Sequence, residues 1–377
     1  MTEIPRTAQH IVVVMRDFYA GGAERIAITL ANAWQARGRD VTLLYGAASG
    51  PLRVRVAPDV HTRAIRPRLP RWRLSRIPLG WAGARTLRAL QADVVFAPGN
   101  AHLPVIGTIA RMPFHQRPVF ACKLSNRLWR PERSRFSQGT FEKTTRFWCT
   151  RLDGLVAMSE ALRDEAAGIL KRDDIAAIWE PCIIAESTPS PSLEPVAADP
   201  PVIAVAGRLV AEKNVALALQ TMALLRTQQA DVRLLILGDG PLRSALEQES
   251  RRLGIADRVT WAGHVPDIRP YLATARVLLS TSRHEGYPAV LVEALAAGVP
   301  VVATRSSPAI GEILFDPSFG TLSDATPAAL ASAVRYALGL QPSTAALAPF
   351  LARHQAGPSA DAYLAWFDQL CARRTTR

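Results

Sequence analysis

The chain has 377 residues, 49% hydrophobic and 20% charged, long enough to bury the cores of two α/β domains. Its formal net charge of +13 lies wholly in the first half: residues 1–180 hold 28 Lys and Arg against 15 Asp and Glu, and the remainder holds 17 of each. That asymmetry points to an acidic partner for the first half. No run is apolar enough to span a bilayer, since the 94–110 run is broken by Pro98, Gly99, Asn100, His102 and Pro104. The opening MTEIPRTAQH lacks the basic-then-apolar run of a signal peptide. Cys122, Cys149, Cys182 and Cys371 have no metal-ligand spacing, so reduced cytosolic thiols are expected.

In chain order, His10–Met15 predicts a strand, followed by a loop with Gly21-Gly22. A helix from Ala23 to Arg37 stopped by Gly38 comes next, then the strand Asp40–Tyr45. Glycines between a strand and a helix let backbone N–H groups approach a ligand closely. The G-x-G-x-x-G dinucleotide spacing is absent, and a tight turn alone accounts for these glycines equally well.

Residues 53–88 hold ten arginines and one acid, Asp59, among Leu69, Trp72, Leu74, Ile77, Leu79 and Trp81. Arginine interleaved with tryptophan suits docking on an anionic leaflet. A solvated basic face ranks second and a nucleic-acid grip last, because no zinc finger or RNA-recognition signature accompanies the patch.

Asp93–Pro98 and Val119–Cys122 predict buried strands. Lys123-Leu124-Ser125-Asn126-Arg127 then forms a loop at a strand end, where α/β proteins bind ligands. Lys123 and Asn126 are candidates for acceptor or donor contacts, weighed against ordinary surface positions. The isolated His102, His115 and His264 are expected to be structural. Ser159 should cap the helix after the strand near 152–158. The segment 178–182 reads as hinge geometry, and the proline- and serine-rich stretch 187–201 as the domain linker.

The strand Val202–Val205 opens the second half. Arg208 and Lys213 flank a loop before the helix Val215–Leu225, and two cations beside a tight loop are what a diphosphate leaving group needs. The strand Val232–Leu237 turns through Gly238-Asp239-Gly240-Pro241 into another helix, and Val259–Trp261 is a strand followed by Gly263-His264-Val265. Val277–Ser280 delivers the chain to a polar loop carrying Glu285 and Gly286-Tyr287-Pro288. Pro288 suits a first helical turn. Val290, Leu291, Leu295 and Ala297 read as helix, Gly298 ends it, and Val299–Ala303 is a buried strand.

That helix start favours an anion such as phosphate. Glu285 above it and Glu293 one turn inside make sense if the ligand also presents hydroxyls, as a sugar and a ribose do. Gly357-Pro358-Ser359 breaks the chain before a terminal helix over Ala360–Leu370, with Ser359 as candidate cap.

Glu-Gly-Tyr-Pro at 285–288 with Glu293 resembles the E-x7-E signature of retaining glycosyltransferases of family 4. Ala206–Lys213 (AGRLVAEK) after one strand and Leu237–Pro241 (LGDGP) after the next match the same family in order and separation. The resemblance covers nearly the whole chain and is clearest from about 201 to 320.

It implies an α/β GT-B fold, two Rossmann-like domains with parallel sheets facing each other across a cleft. Residues 1–186 would be the acceptor domain, rejoined by a terminal helix at 358–377 crossing back. The linker would be 187–201 and the donor domain 202–357.

The resemblance also implies transfer of a sugar, hexosyl or N-acetylhexosaminyl, from a nucleotide donor with retention of configuration. Gly22 would face the donor diphosphate. Gly207, Gly238 and Val290 would line the donor site, and the backbone at His264 and Val265 would cradle the nucleobase. Glu293 would hold the ribose and Glu285 the donor sugar, while Gly286, Tyr287 and Pro288 shape the loop above. Arg208 and Lys213 would neutralise the departing diphosphate and, with Glu285, form the catalytic set. No cofactor or metal is expected, the two cations replacing Mg2+. Front-face attack with the leaving phosphate as base is preferred to a Glu nucleophile.

Relatives often carry a histidine or a Ser-Glu-Arg-Asn cluster near 123–127. This chain has neither, and no acid or base is assigned. Glu180-Pro181 stands where relatives usually show Asn-Pro.

The expected partners are a nucleoside-diphosphate sugar (uridine or guanosine), a lipid-linked or saccharide acceptor, and an anionic membrane surface met by the basic first domain. No nucleic acid is expected. The enzyme would be cytoplasmic, peripheral at the inner face of the cytoplasmic membrane, and would act in surface-polysaccharide or lipopolysaccharide assembly. Its rivals are a nucleotide-sugar epimerase or hydrolase on the same fold and a non-catalytic nucleic-acid- or membrane-binding protein. A nicotinamide oxidoreductase would need the missing glycine fingerprint.

Overall fold

The computed structural model describes residues 7–19, 21–66, 76–130, 132–183 and 200–375. The chain divides into two units, Met1–Pro181 with Ala356–Arg377, and Cys182–Gln355. All but the last two residues of the stretch expected as linker lie outside the described residues, as do Arg68, Arg71, Trp72 and Arg73 of the basic stretch.

Unit 1 is built on a parallel seven-stranded sheet: β1 (His10–Met15), β2 (Asp40–Tyr45), β3 (His61–Ala64), β4 (Val94–Ala97), β5 (Val119–Leu124), β6 (Gly154–Ala157) and β7 (Ile175–Ala177). The strands lie in the order β3-β2-β1-β4-β5-β6-β7. The apolar runs of β1, β4 and β6 are buried nearly throughout, as strands covered on both faces must be. The helices are α1 (Gly22–Gln35), α2 (Arg76–Leu87), α3 (Leu103–Ile109), α4 (Arg135–Cys149) and α5 (Glu160–Leu170). Ser159 caps α5 as expected, its side chain accepting from the Leu162 amide.

One expectation needs correction here. β5 runs to Leu124, two residues past the predicted end, so Lys123 belongs to the strand. The basic stretch also contributes regular structure, a 3-10 turn at Pro51–Arg55, β3 and α2.

Unit 2 carries a parallel six-stranded sheet: β8 (Val202–Ala206), β9 (Arg233–Leu237), β10 (Val259–Gly263), β11 (Val277–Ser280), β12 (Val301–Thr304) and β13 (Gly320–Ser323). Their order is β10-β9-β8-β11-β12-β13. Its helices are α6 (Val215–Thr227), α7 (Arg243–Arg252), α8 (Arg269–Leu272), α9 (Ala289–Ala296), α10 (Ala309–Ile313), α11 (Pro327–Ala337) and α12 (Thr344–Ala352). Gly298 follows α9 at φ +73, the left-handed geometry expected of a helix stop.

The last helix, α13 (Ala356–Thr375), belongs to unit 1 and packs on α1. Tyr363 and Phe367 meet Trp34 of α1 and Phe96 of β4, with ring centroids 5.3 to 5.8 Å apart. Asp368 accepts from the Ala8 amide at 2.7 Å and from Arg39 at 2.8 Å. The helix starts four residues before the predicted Ala360. Pro358 sits in its first turn, where a missing N–H breaks no helical bond. Ser359 is therefore inside the helix rather than capping it, and its hydroxyl donates to the Trp179 carbonyl at 3.1 Å.

Candidate functional site

In each sheet the strand order reverses at one place, β1/β4 in unit 1 and β8/β11 in unit 2. Loops leaving the carboxyl ends of those strands diverge and open a crevice, which is where open α/β sheets take ligands.

In unit 2 those two loops carry Gly207 to Lys213 and Thr281 to Pro288. They are stitched together: the Thr281 hydroxyl donates to the carbonyls of Lys213 and Asn214, both at 3.1 Å, and the Arg283 amide donates to the Glu212 carbonyl at 2.8 Å. Lys213 Nζ consequently lies 2.5 Å from Glu285 Oε1, and the Ser282 hydroxyl donates to the same oxygen at 2.6 Å. Glu285 Oε2 makes no hydrogen bond to any described residue, and an ammonium has three donors of which this pair uses one. Arg208 is exposed, and its guanidinium meets no carboxylate among the described residues. The site thus combines a carboxylate with one free oxygen, an ammonium with spare donors and an unengaged guanidinium.

The glycines have steric reasons. A Cβ on Gly238 would fall 2.0 Å from the Gly207 carbonyl oxygen, and one on Gly240 would fall 2.5 Å from that of Leu209. Gly207 and Gly238 also hold φ of +147 and +142, which side-chain-bearing residues rarely adopt. The β8 and β9 loops therefore touch backbone to backbone, and the Gly238 amide donates onward to the Gly263 carbonyl at 2.7 Å. That contact fixes the carboxyl end of β10, where His264 stands exposed and Val265 half-buried.

The loop before α9 is held from below. The Glu285 amide donates to the Ser306 carbonyl at 3.0 Å, and the Ser307 hydroxyl to the Gly286 carbonyl at 2.6 Å. Pro288 occupies the N-cap position of α9. Tyr287 is buried, with its hydroxyl 2.5 Å from His354 Nε2. Val290 and Glu293 are half-buried on the helix. Arg269, gripped by Asp267 at 2.7 and 2.8 Å, lies near enough to Glu293 to feel its charge. Ser282 and His354 are absent from the sequence reading. Ser282 stands three residues before Glu285 and was legible as a near neighbour, whereas His354, 67 residues beyond Tyr287, gives no local signal.

In unit 1, Gly22 opens α1 beside the sheet's reversal point, and a Cβ there would meet nothing within 4 Å. Packing therefore gives no reason for a glycine at this position. A Cβ on Gly99, after β4, would lie 3.4 Å from Ala23 Cβ, so the two loops adjoin.

Lys123 needs a second correction. It is wholly buried, and its ammonium meets both oxygens of Glu180 at 2.8 and 2.9 Å. It is a paired core cation, unsuited to touching an acceptor. The Glu180 departure from Asn-Pro thus supplies this lysine's counter-charge. Asn126 is exposed, its backbone carbonyl accepting from the Asn100 amide side chain at 2.9 Å. His102 is buried and neutral, its pKa pushed down to about 4 by burial and by Arg16. The four cysteines are free and buried. Among the described residues no three His, Cys, Asp or Glu side chains converge as a metal site, and no helix is long and apolar enough to cross a membrane.

Comparison with known proteins follows the same division. Residues 20–182 match the model described as Glycosyltransferase Family 4, and residues 200–339 that described as Glycosyl transferases group 1. The chain is 39% identical over 109 residues to the lipopolysaccharide core biosynthesis glycosyltransferase LpsE of Rhizobium meliloti (strain 1021), covering 29% of this chain and 31% of that one. It is 37% identical over 132 residues to a GDP-mannose-dependent alpha-(1-6)-phosphatidylinositol dimannoside mannosyltransferase of Mycobacterium tuberculosis, covering 34% and 33%. The matched segments thus span about a third of the length of these curated relatives. The fold resembles that of Anabaena HepE, solved in complex with UDP and glucose, with a TM-score of 0.69 at 19% identity over 98% of this chain and 99% of that one. Two parallel-sheet α/β units, each matched by its own glycosyltransferase model, make the fold GT-B, and the chain belongs to the group 1/family 4 glycosyltransferases.

Proposed function

We propose that this protein is a retaining glycosyltransferase that moves a hexosyl or N-acetylhexosaminyl group from a nucleoside-diphosphate sugar to a saccharide acceptor carried on a lipid, in lipopolysaccharide or surface-polysaccharide assembly. The observation that carries the reading is the Lys213–Glu285 pair at the reversal point of the unit 2 sheet, with an unengaged Arg208 in the same loop. Lys213 and Arg208 stabilise the charge that grows on the departing diphosphate, a contribution of about 3–4 kcal/mol per well-placed donor. The free Oε2 of Glu285 accepts from a donor-sugar hydroxyl, and Glu293 accepts from the ribose. The ends of β9 and β10, held by Gly238 and Gly263, frame the nucleobase beside His264 and Val265. The leaving phosphate takes the acceptor proton during front-face attack, so no side-chain base is required, and the two cations do the work of a divalent metal.

A lipid-borne acceptor is supported by the surface of unit 1. On α4, Phe136 is 85% and Phe147 53% exposed, and on α2, Trp81 is 55% exposed. Arg135 and Lys143 are exposed on the same helix as the two phenylalanines, and Arg151 is exposed just after it. Exposed aromatic groups with cations near them suit an anionic leaflet, with the enzyme peripheral at the cytoplasmic side.

The test is a panel of UDP- and GDP-sugars, followed by thermal shift and nucleotide release, on wild type and Glu293→Ala. One donor should raise the wild-type melting temperature, with the shift largely lost in the variant. Sugar recovered on an acceptor supports transfer, sugar recovered free supports the hydrolase alternative, and no binding to any nucleotide overturns the reading.

A further inference from the structure

Tyr287 and His354 form a contact that the donor chemistry does not use. His354 is fully buried at the end of α12, its ring 4.5 Å from that of Phe350. Its Nδ1 lies 2.7 Å from the Phe350 carbonyl, which can only accept, so Nδ1 carries the proton. Nε2 is then a bare acceptor, and the Tyr287 hydroxyl, 2.5 Å away, donates to it. Burial first, then the neighbouring Arg353, hold the His354 pKa down to about 4, so this tautomer persists at neutral pH.

The backbone of the same histidine has a second task. Its carbonyl accepts from the Ile183 amide at 3.0 Å, and Ile183 bridges Gln355. Ile183 lies where the chain enters unit 2, and Gln355 is where it leaves. His354 therefore joins the entry and exit of unit 2 to the loop that bears Glu285. Ser306 and Ser307 hold Glu285 and Gly286 through backbone groups, but the side chain of Tyr287 is anchored by the histidine.

We propose that His354 is a positioning residue: through Tyr287 it sets the Glu285–Pro288 loop, and through Ile183 it ties that loop to the place where the chain crosses into and out of the donor unit. The inference rests on the donor-site reading above for its catalytic consequence, though not for its structural one. Tyr287→Phe removes only the hydroxyl, His354→Leu removes both ring bonds, and His354→Gln keeps an acceptor near the Nε2 position.

Hydrogen–deuterium exchange over residues 283–290 reads the loop without any substrate. Exchange should quicken at least tenfold in Tyr287→Phe and His354→Leu, less in His354→Gln, and no further in the double Tyr287→Phe/His354→Leu than in His354→Leu alone. With a UDP- or GDP-sugar that the wild type uses, kcat should fall at least tenfold in the same order while UDP or GDP affinity stays within about twofold. Unchanged exchange, or single effects that multiply in the double variant, overturns the inference. Quickened exchange in a protein that uses no nucleotide-sugar supports the positioning role and overturns the function proposed above instead.

Discussion

At the residue scale, two Lys–Glu pairs among the described residues lie in opposite surroundings. Lys213 and Glu285 retain partial access to water, with side chains 28% and 13% exposed, and each keeps unused bonding capacity. Lys123 and Glu180, at 1% and 10%, are nearly shut from solvent, and the ammonium meets both carboxylate oxygens. The first pair can exchange partners with a ligand, whereas the second cannot be broken without stranding a buried charge. Glu180→Leu should cost about 3–5 kcal/mol by leaving the Lys123 ammonium uncompensated, and adding Lys123→Met should restore most of it. Urea denaturation of the two variants checks this, and a small loss in the single variant would mean that water reaches the ammonium.

At the element scale, α13 completes unit 1 rather than decorating it. Without Tyr363 and Phe367, Trp34 and Phe96 would face water, and Ala8 and Arg39 would lose Asp368. α4 works outward instead. Phe136, Thr140, Lys143 and Phe147 recur at spacings of three and four, which lines them along one exposed stripe. In Phe136→Ser/Phe147→Ser the fold should be unchanged, while sedimentation with anionic vesicles at low salt falls at least tenfold against wild type. Binding that survives in the variant would shift the contact to α2.

At the scale of the whole molecule, two buried histidines whose pKa is lowered, one in each unit, make stability depend on pH. His102 and His354 both titrate near 4 when folded, against 6.5 for an ordinary histidine. The unfolded chain therefore binds protons between pH 6.5 and 4 that the folded chain refuses. Stability is fully present above pH 6.5 and falls as the pH drops through 4, by up to about 3 kcal/mol for each histidine. Denaturant midpoints from pH 7 to 4 measure the slope, which should flatten in His102→Gln and in His354→Gln. A flat wild-type profile would mean that water already solvates both rings.

The sequence by itself determined the alternation of strands and helices, because buried parallel strands are short apolar runs and helices repeat every three to four residues. β1, β2 and β11 begin and end where the sequence predicts, at His10–Met15, Asp40–Tyr45 and Val277–Ser280. It also supplied Arg208, Lys213, Glu285 and Glu293 as candidates, since these stand in local motifs beside strand ends. The tertiary structure decided what each charge faces. Lys123 looked like a loop residue until Glu180, 57 positions away, proved to be its partner, and that single contact moves it from ligand candidate to core. His354 carried no motif because its acceptor role exists only once α12 brings it to Tyr287. Local pattern fixes backbone conformation over a few residues. Burial and hydrogen-bond partnership are settled by groups far apart in the chain, and only the fold brings those together.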